Sequence, residues 1–178
     1  MTPEGNSVAA HLTGRPLPDL ALRSTAGQQV ALTDLGTPRT VLYLYPMTGR
    51  PGVPLPEDWD LIPGARGCTP EACGFRDHHA DLDEAGADVY GLSSQDTEYQ
   101  QEAVARLDLP FPLLSDTRLA LAEALQLPTF TAGGLRFFER LTMIVSGRII
   151  EHVFYPVFPP GEHAEELLSF LRQRQAQM

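Results

Sequence analysis

The run Thr40-Val-Leu-Tyr-Leu-Tyr45 constrains the fold of this chain more than any other segment. β-Branched, aromatic and apolar residues fill all its positions, and Pro46 ends it. A run of this kind predicts a strand that is buried on both faces, because a half-exposed strand would alternate apolar and polar side chains. We therefore expect a central sheet with other elements packed above and below it.

Strand and helix patterns alternate along the rest of the chain. Helices are predicted over 69–86, 97–107, 119–125 and 162–174, and further strands over 87–92, 110–114, 141–145 and 149–154. Thr97 and Gln100 suggest a capping box for the second helix. The last two strands form a hairpin. This alternation, with a hairpin late in the chain, predicts an α/β protein with a mixed central sheet flanked by helices.

Length and charge narrow the class of protein. A chain of 178 residues indicates a single domain over 1–178. Lys and Arg number 13 against 23 Asp and Glu, and the resulting net charge of −10 argues against nucleic acid or an anionic membrane as a partner. No apolar run is long enough to span a membrane, and residues 1–14 lack the features of a signal peptide. A cytoplasmic location is the expectation.

A segment rich in proline and glycine, 47–67, follows the first strand. Its composition excludes regular structure, and a loop of about 20 residues in a compact domain is usually functional, although a simple insertion is the alternative. Trp59 is the only tryptophan of the chain and lies within this loop. We interpret it as an anchor that pins the loop to the body of the protein.

The chain has two cysteines, Cys68 and Cys73. Two thiols do not make a disulfide framework, and in a reducing compartment such a pair is more often catalytic or metal-binding. Cys68 lies between the glycine-rich loop and the first turn of a predicted helix. The free N–H groups and the dipole of a helix start favour an anion, so we expect a lowered pKa at Cys68, with Arg66 contributing.

Cys73 follows on the same predicted helix. In an intact helix the two Cα atoms would be about 8.7 Å apart, whereas a disulfide needs less than about 7 Å. A bond between the two sulfurs would therefore require the first turns of the helix to unwind. The alternative for Cys73 is a small buried apolar side chain beside Ala72.

The string Gly67-Cys-Thr-Pro-Glu-Ala-Cys-Gly-Phe-Arg-Asp77 resembles the active-site segment of the peroxiredoxins. It is most similar to the peroxiredoxin Q branch, also called bacterioferritin comigratory proteins, where a Tyr-x-Tyr-Pro strand end precedes the segment, as Tyr43-Leu-Tyr-Pro46 does here. The similarity covers most of the chain. It extends to the arginine-led strand Arg140-Leu-Thr-Met-Ile-Val145.

The resemblance implies a thioredoxin-like fold and a thiol peroxidase that needs no cofactor. Cys68 would attack the peroxide O–O bond and become a sulfenic acid, and Cys73 would condense with it to a disulfide. Thioredoxin or a similar dithiol would reduce that disulfide. Arg140 would hold the thiolate and the peroxide oxygens. The expected substrates are hydrogen peroxide and organic hydroperoxides.

The chain departs from the family motif Pro-x-x-x-Thr-x-x-Cys. Ala65 stands where the motif has threonine, and the strand-end Pro46 lies far upstream of Cys68. The loop therefore resembles an insertion that splits the motif. Thr48, just after Pro46, is the candidate for the missing hydroxyl. Pro46, Thr48 and Gly67 are accordingly the predicted substrate-binding residues.

Two other functions remain open at this point. A thiol–disulfide oxidoreductase on the same fold is one, although the usual Cys-x-x-Cys spacing is absent. A non-enzymatic redox-sensing or metal-binding module is the other, with Cys68, Cys73, His78 and His79 as ligands, although this is not a common zinc spacing. The sequence leaves both a monomer and a dimer open.

Overall fold

A mixed sheet of seven strands forms the centre of the computed structural model, which describes residues 3–62 and 64–176. The ends of the predicted 1–178 domain, and Pro63 of the predicted loop, lie outside the described residues. The strands are β1 (Ala21–Ser24), β2 (Gln29–Ala31), β3 (Arg39–Leu44), β4 (Ala87–Ser93), β5 (Leu113–Ser115), β6 (Thr129–Ala132), β7 (Leu135–Phe138), β8 (Leu141–Ser146) and β9 (Ile149–Phe154). Their order in the large sheet is β2-β1-β5-β4-β3-β8-β9, and β6 and β7 form a separate hairpin.

Helices cover both faces of this sheet. They are α1 (Pro3–Leu12), α2 (Cys68–Asp77), α3 (His79–Glu84), α4 (Thr97–Leu107), α5 (Ala120–Leu125) and α6 (His163–Ala176). Short 3-10 turns occur at Leu32–Asp34, Trp59–Leu61 and Pro160–Glu162. Among the helices of the described ranges, none has the length and apolar character that a membrane crossing requires.

Strand β3 is buried on both faces, as its composition predicts. It runs parallel to β4 and antiparallel to β8, so it occupies the middle of the sheet. Val41, Tyr43 and Tyr45 belong to the core formed with α2, α3 and α6. Leu42 and Leu44 belong to the opposite core, formed with α1 and α5. The predicted α/β class with a mixed, covered sheet is confirmed.

Several predicted boundaries are wrong in detail. The helix predicted over 69–86 is two helices, because α2 ends at Asp77 and α3 begins at His79. The predicted capping box is absent: the side chain of Asp96 accepts the Tyr99 N–H and caps α4. Gln100 instead points inward and donates to Ser93 Oγ and the Leu114 carbonyl.

The sequence patterns did not predict α1, the β1–β2 pair or the β6–β7 hairpin. A signal for that hairpin was present, because Gly133 and Gly134 adopt the positive φ angles of 56° and 78° that a tight two-residue turn needs. Short strands and turns of this kind give weak apolar periodicity, so composition alone does not find them.

The loop 47–67 contains no helix or strand apart from the 3-10 turn at Trp59–Leu61, as far as its described residues go. Trp59 is buried, with its ring 5.6 Å from that of Phe130 and 5.2 Å from that of Phe137. Ala65 belongs to the same small core. The predicted anchor is therefore confirmed, and its attachment point is the β6–β7 hairpin.

Candidate active site

Cys68 is the first residue of α2, and Gly67 sets its position. Gly67 has a φ of 106°, a left-handed conformation that favours glycine. A Cβ at this position would also lie 2.6 Å from Cγ of Pro160, which is too close for any side chain. Gly67 thus brings the helix start against the 3-10 turn that precedes α6, and this close packing fixes where Cys68 enters the core.

The Cys68 sulfur lies beside a buried arginine. The Cys68 side chain is 5% exposed, and Nη2 of Arg140 lies 3.2 Å from its Sγ. Arg140 is the residue just before β8, and it is 3% exposed. A guanidinium at this distance stabilises a thiolate and any negative charge that develops next to the sulfur.

Glu71 forms the other half of this charged pair. Its Oε1 accepts from Nη1 of Arg140 at 2.7 Å, and the Glu71 side chain is fully buried. Three positions after Cys68 on α2, Glu71 shares the helix face of the cysteine. The sequence patterns did not identify Glu71 as a site residue. Its spacing from Cys68 was the available signal.

Arg140 also holds the segment that leads into Cys68. Its Nη2 lies 3.2 Å from the Gly64 carbonyl oxygen, 3.3 Å from that of Ala65 and 2.9 Å from that of Arg66. The Ala65 side chain faces the Trp59 core, so the residue at the motif threonine position meets the site through its backbone oxygen. One guanidinium therefore orients the thiol, the carboxylate and the preceding loop.

Burial dominates the electrostatics of the Cys68 thiol. Burial raises its pKa, Arg140 lowers it, the Glu71 carboxylate raises it, and the Met47 backbone N–H lowers it, with a net rise above the usual value. Burial likewise raises the pKa of Glu71, against the lowering effect of Arg140. The expectation of a lowered thiol pKa is wrong for this arrangement, because the helix-start argument left out the cost of desolvating a thiolate.

Arg66 does not contribute as expected. Its side chain is 72% exposed and pairs with Asp60 at 3.2 Å, pointing away from the buried sulfur. Only its backbone carbonyl takes part, as an acceptor for Arg140. The cation next to the thiol comes from β8, far away in sequence.

The predicted substrate-binding residues Pro46 and Thr48 lie just after the end of β3. Pro46 is buried directly after Tyr45, which shares a core with Cys68. Thr48 is buried as well, and its hydroxyl lies 3.4 Å from Oε1 of Gln95. The described contacts of Thr48 are with Gln95, a neighbour that the sequence patterns did not predict, and the substrate-binding roles of Pro46 and Thr48 stay predictions.

Cys73 lies in a different environment on the same helix. It is half-buried and is a free thiol, as is Cys68. Its neighbour Ala72 is buried with Phe75 in the core, whereas Cys73 is not among the core residues. Because α2 is continuous from Cys68 to Asp77, a bond between the two sulfurs still requires the helix start to unwind.

The residues of the alternative metal site do not converge. In residues 3–62 and 64–176, no three His, Cys, Asp or Glu side chains are arranged to hold a metal ion. His78 lies 3.5 Å from Glu165, and the His79 ring lies 6.1 Å from that of Phe111. Cys68 is turned toward Arg140 instead. The four predicted ligands therefore lack a common centre.

Comparison with known proteins points to one family. The family model described as Redoxin matches residues 12–168. Peroxiredoxin Q from the chloroplast of Sedum lineare is 29% identical over 168 residues, which is 94% of this chain and 82% of that protein. The chloroplastic peroxiredoxin Q of Arabidopsis thaliana is 28% identical over 159 residues, and this chain spans 66% of its length.

Solved structures agree. The peroxidoxin BcpB of Mycobacterium tuberculosis superposes with a TM-score of 0.72 at 27% identity, covering 91% of this chain and 97% of that one. A peroxiredoxin Q of Xanthomonas campestris shares the fold, with a TM-score of 0.72 at 24% identity over 93% of this chain and 98% of that one. The predicted thioredoxin-like fold is confirmed. The chain therefore belongs to the redoxin family, as a member similar to the peroxiredoxin Q and bacterioferritin comigratory proteins.

Proposed function

We propose that the protein is a thiol peroxidase that reduces hydrogen peroxide and small organic hydroperoxides. The observation that carries the proposal is the contact of 3.2 Å between Nη2 of Arg140 and Sγ of Cys68 in a buried site. This arrangement pairs a nucleophilic sulfur with a cation aimed at developing negative charge. The names of the peroxiredoxin Q relatives support the same reaction class.

In the first step the Cys68 thiolate attacks one peroxide oxygen. A sulfur–oxygen bond forms, the O–O bond breaks, and the leaving hydroxide or alkoxide takes up a proton as water or alcohol. Sulfur is oxidised to a sulfenic acid and the peroxide is reduced. Arg140 opposes the charge that builds up on the departing oxygen. Sulfur performs the chemistry, so the reaction needs no cofactor.

In the second step the thiol of Cys73 attacks the sulfenic sulfur. A disulfide forms and water leaves. For this to occur, the start of α2 must unwind, which breaks the contacts of Arg140 with the carbonyls of Gly64, Ala65 and Arg66. Release of the packing between Gly67 and Pro160 is part of the same motion. Thioredoxin or a similar dithiol then reduces the disulfide by thiol exchange.

A single domain in the cytoplasm is part of the proposal. Two cysteines in a chain of 178 residues are too few for a disulfide framework, which fits a reducing compartment. The plant relatives are named as chloroplastic, so location is not carried over from them.

The test is NADPH consumption with purified protein, thioredoxin, thioredoxin reductase and hydrogen peroxide. Turnover that depends on the protein supports the proposal. If the protein consumes no peroxide even in a single turnover after full reduction with dithiothreitol, it is not a peroxidase. Consumption in a single turnover without NADPH oxidation would keep the peroxidase step and reject thioredoxin as the reductant.

A further inference from the structure

Leu61 and Phe158 are the most exposed large apolar side chains among the described residues. Leu61 is 78% exposed and Phe158 is 88% exposed. A single exposed apolar residue is normal on a protein surface, but these two line one cavity together with Ile62, Val157 and Pro160. We call this group the Leu61–Phe158 surface. An apolar cluster of this kind, on a chain with a net charge of −10, is typical of an interaction site.

The cavity within this surface has room for one large side chain of a partner. Its volume is about 240 Å³. An apolar cavity of roughly 150 Å³ holds a benzene ring, so an aromatic or aliphatic side chain fits here. Binding energy at protein interfaces is concentrated where such a side chain fills a pocket. The Leu61–Phe158 surface therefore has the form of the centre of an interface.

One wall of the cavity is the segment that leads into Cys68. Gly64 and Arg66 line the cavity. Their carbonyl oxygens lie 3.2 Å and 2.9 Å from Nη2 of Arg140, and the same nitrogen lies 3.2 Å from Sγ of Cys68. Only one hydrogen-bonded layer, the Arg140 guanidinium, joins this wall to the sulfur.

The opposite wall holds the start of α2 in place. Pro160 lines the cavity and is also the residue against which Gly67 packs. In the proposed cycle the start of α2 unwinds, so the contacts that hold both walls break when the disulfide forms. A protein bound on the Leu61–Phe158 surface therefore lies next to the segment from which the sulfurs emerge.

The position of the cavity argues against a peroxide as its occupant. Of the described residues, those that line the cavity do not include Cys68. A hydroperoxide held there would contact the backbone of residues 64–66 and not the sulfur, as long as the start of α2 is folded. A reductant, by contrast, must reach a sulfur only after the helix start has opened and the disulfide has formed.

The charges around the surface favour a basic partner. Exposed carboxylates lie on both segments that form it, namely Glu57, Asp58, Asp60 and Glu162. Arg66, the cation that lines the cavity, pairs with Asp60 at 3.2 Å. Complementary charge speeds the association of two proteins and is screened by salt. The matching surface on a partner is apolar at its centre and basic at its rim.

We propose that the Leu61–Phe158 surface is the docking site for the protein dithiol that reduces the Cys68–Cys73 disulfide. This inference rests on the proposed function, in which that disulfide forms after oxidation of Cys68. A thiolate of the docked partner attacks one sulfur, a mixed disulfide forms, and the other cysteine leaves as a thiolate that takes up a proton. The second thiol of the partner then attacks the mixed disulfide, which releases the reduced protein and the oxidised partner.

The test compares Leu61→Ser and Phe158→Ser with the wild type in the NADPH assay at varied thioredoxin concentration. We expect the KM for thioredoxin to rise about tenfold in each variant, because an apolar contact at the centre of the interface is lost. Turnover with dithiothreitol needs no docking surface and should stay the same, as should the single-turnover reaction with hydrogen peroxide. Both side chains are exposed, so the melting temperature should be nearly unchanged.

Leu135→Ser is the matched control, because Leu135 is a 62% exposed leucine on β7, outside this surface. It should change none of these measurements. Added NaCl should slow reduction by thioredoxin and leave reduction by dithiothreitol unchanged. A normal KM for thioredoxin in both the Leu61 and Phe158 variants would overturn the inference. A rate with thioredoxin that does not fall with salt would contradict the basic rim of the partner.

Other occupants of the surface give different results. If Phe158→Ser raises the KM for cumene hydroperoxide and leaves that for thioredoxin unchanged, the cavity is a substrate site and the inference is wrong. If size-exclusion chromatography shows that Phe158→Ser separates a dimer while the kinetics stay the same, the surface joins two copies of the chain, and the inference is again wrong.

Oxidation of the two cysteines with diamide separates this inference from the proposed function. Reduction of the resulting disulfide by thioredoxin, followed through NADPH, tests the docking surface even in a protein that consumes no peroxide. If the wild-type protein reacts with peroxide but thioredoxin does not reduce its disulfide, the inference falls and the peroxidase reaction remains.

Discussion

Cys68 and Cys73 are the same residue type on the same helix, and the structure surrounds them with different chemistry. The Cys68 sulfur is buried, 3.2 Å from Arg140 and packed in the core with Tyr45 and Phe75. Cys73 is half-buried beyond that core. Helix rotation of about 140° over five positions accounts for the difference. A buried cation is thus supplied to Cys68, and in the proposed cycle Cys73 reacts only after the helix start opens.

The different roles proposed for Cys68 and Cys73 are tested first by replacing each cysteine in turn. Cys68→Ser is expected to abolish peroxide consumption, since the nucleophile is lost. Cys73→Ser should still consume about one equivalent of peroxide in a single turnover and then stop, because Cys68 can be oxidised without a partner. For both variants, the peroxide consumed is measured from the peroxide that remains after rapid quenching. Equal single-turnover consumption by the two variants would refute the assigned roles.

Removing the cation should have the next largest effect. Arg140→Ala is expected to slow the reaction with peroxide by about 10²–10³-fold, because the developing charge loses its main counter-charge. It also leaves Glu71 buried without its partner, at a cost of about 3–5 kcal/mol, so melting is measured alongside the rate. Arg136→Ala is the matched control, since Arg136 is half-exposed in β7. A folded Arg140→Ala protein with nearly normal rates would mean that another group does this work.

The Glu71 carboxylate disfavours the thiolate form of Cys68. Neutralising Glu71 should therefore lower the pKa of Cys68. Burial and the Glu71 charge raise the pKa of Cys68. Because the pKa of Cys68 is raised above the usual thiol value of about 8.5, the wild-type rate should climb with pH up to and beyond that value as thiolate forms. Glu71→Gln keeps an acceptor for Arg140 and should move this profile to lower pH, increasing the rate near pH 7 by several-fold. Glu84→Gln, at an exposed residue of α3, should leave the profile where it is. An unmoved profile in Glu71→Gln contradicts the assignment of Glu71.

The smallest expected effect is on the rate at which Cys68 and Cys73 form a disulfide. Pro160 packs against Gly67 and restrains the start of α2. Pro160→Ala removes ring atoms from that contact and should speed disulfide formation after oxidation by about fourfold, the equivalent of one buried methylene. The rate of this step is measured as the decrease of the free Cys73 thiol with time after Cys68 has been oxidised. Pro110→Ala, at an exposed proline before β5, is the comparison, and a similar acceleration there would show that the packing is irrelevant.

Clear apolar patterns in the sequence predicted the most deeply buried elements of the fold. Strand β3, the β8–β9 hairpin and helix α6 were predicted because apolar periodicity and burial agree there. The short β1 and β2 strands escaped because they bury few side chains and depend on partners distant in sequence. Tertiary contacts, and not the intrinsic propensity of the residues, determine whether such short segments form strands.

The site was predicted only where local sequence determines it. Cys68 at a helix start follows from the local sequence, whereas Arg140 was implied only by the resemblance to the peroxiredoxins. The sign of the Cys68 pKa shift did not follow, because desolvation depends on the whole fold around the sulfur. The contact of Glu71 with Arg140 and that of Gln95 with Thr48 also depend on tertiary packing that no local pattern encodes.

The buried Trp59 can serve as an intrinsic fluorescent probe of the loop that leads into Cys68. It is the only tryptophan in the chain, so its emission comes from a single place. Its ring shares a small core with Ala65, and the carbonyl of Ala65 is bound by the same guanidinium that contacts Cys68. Opening of the helix start in the proposed cycle would disturb that core. Fluorescence from unlabelled protein would therefore change as the helix start opens and closes.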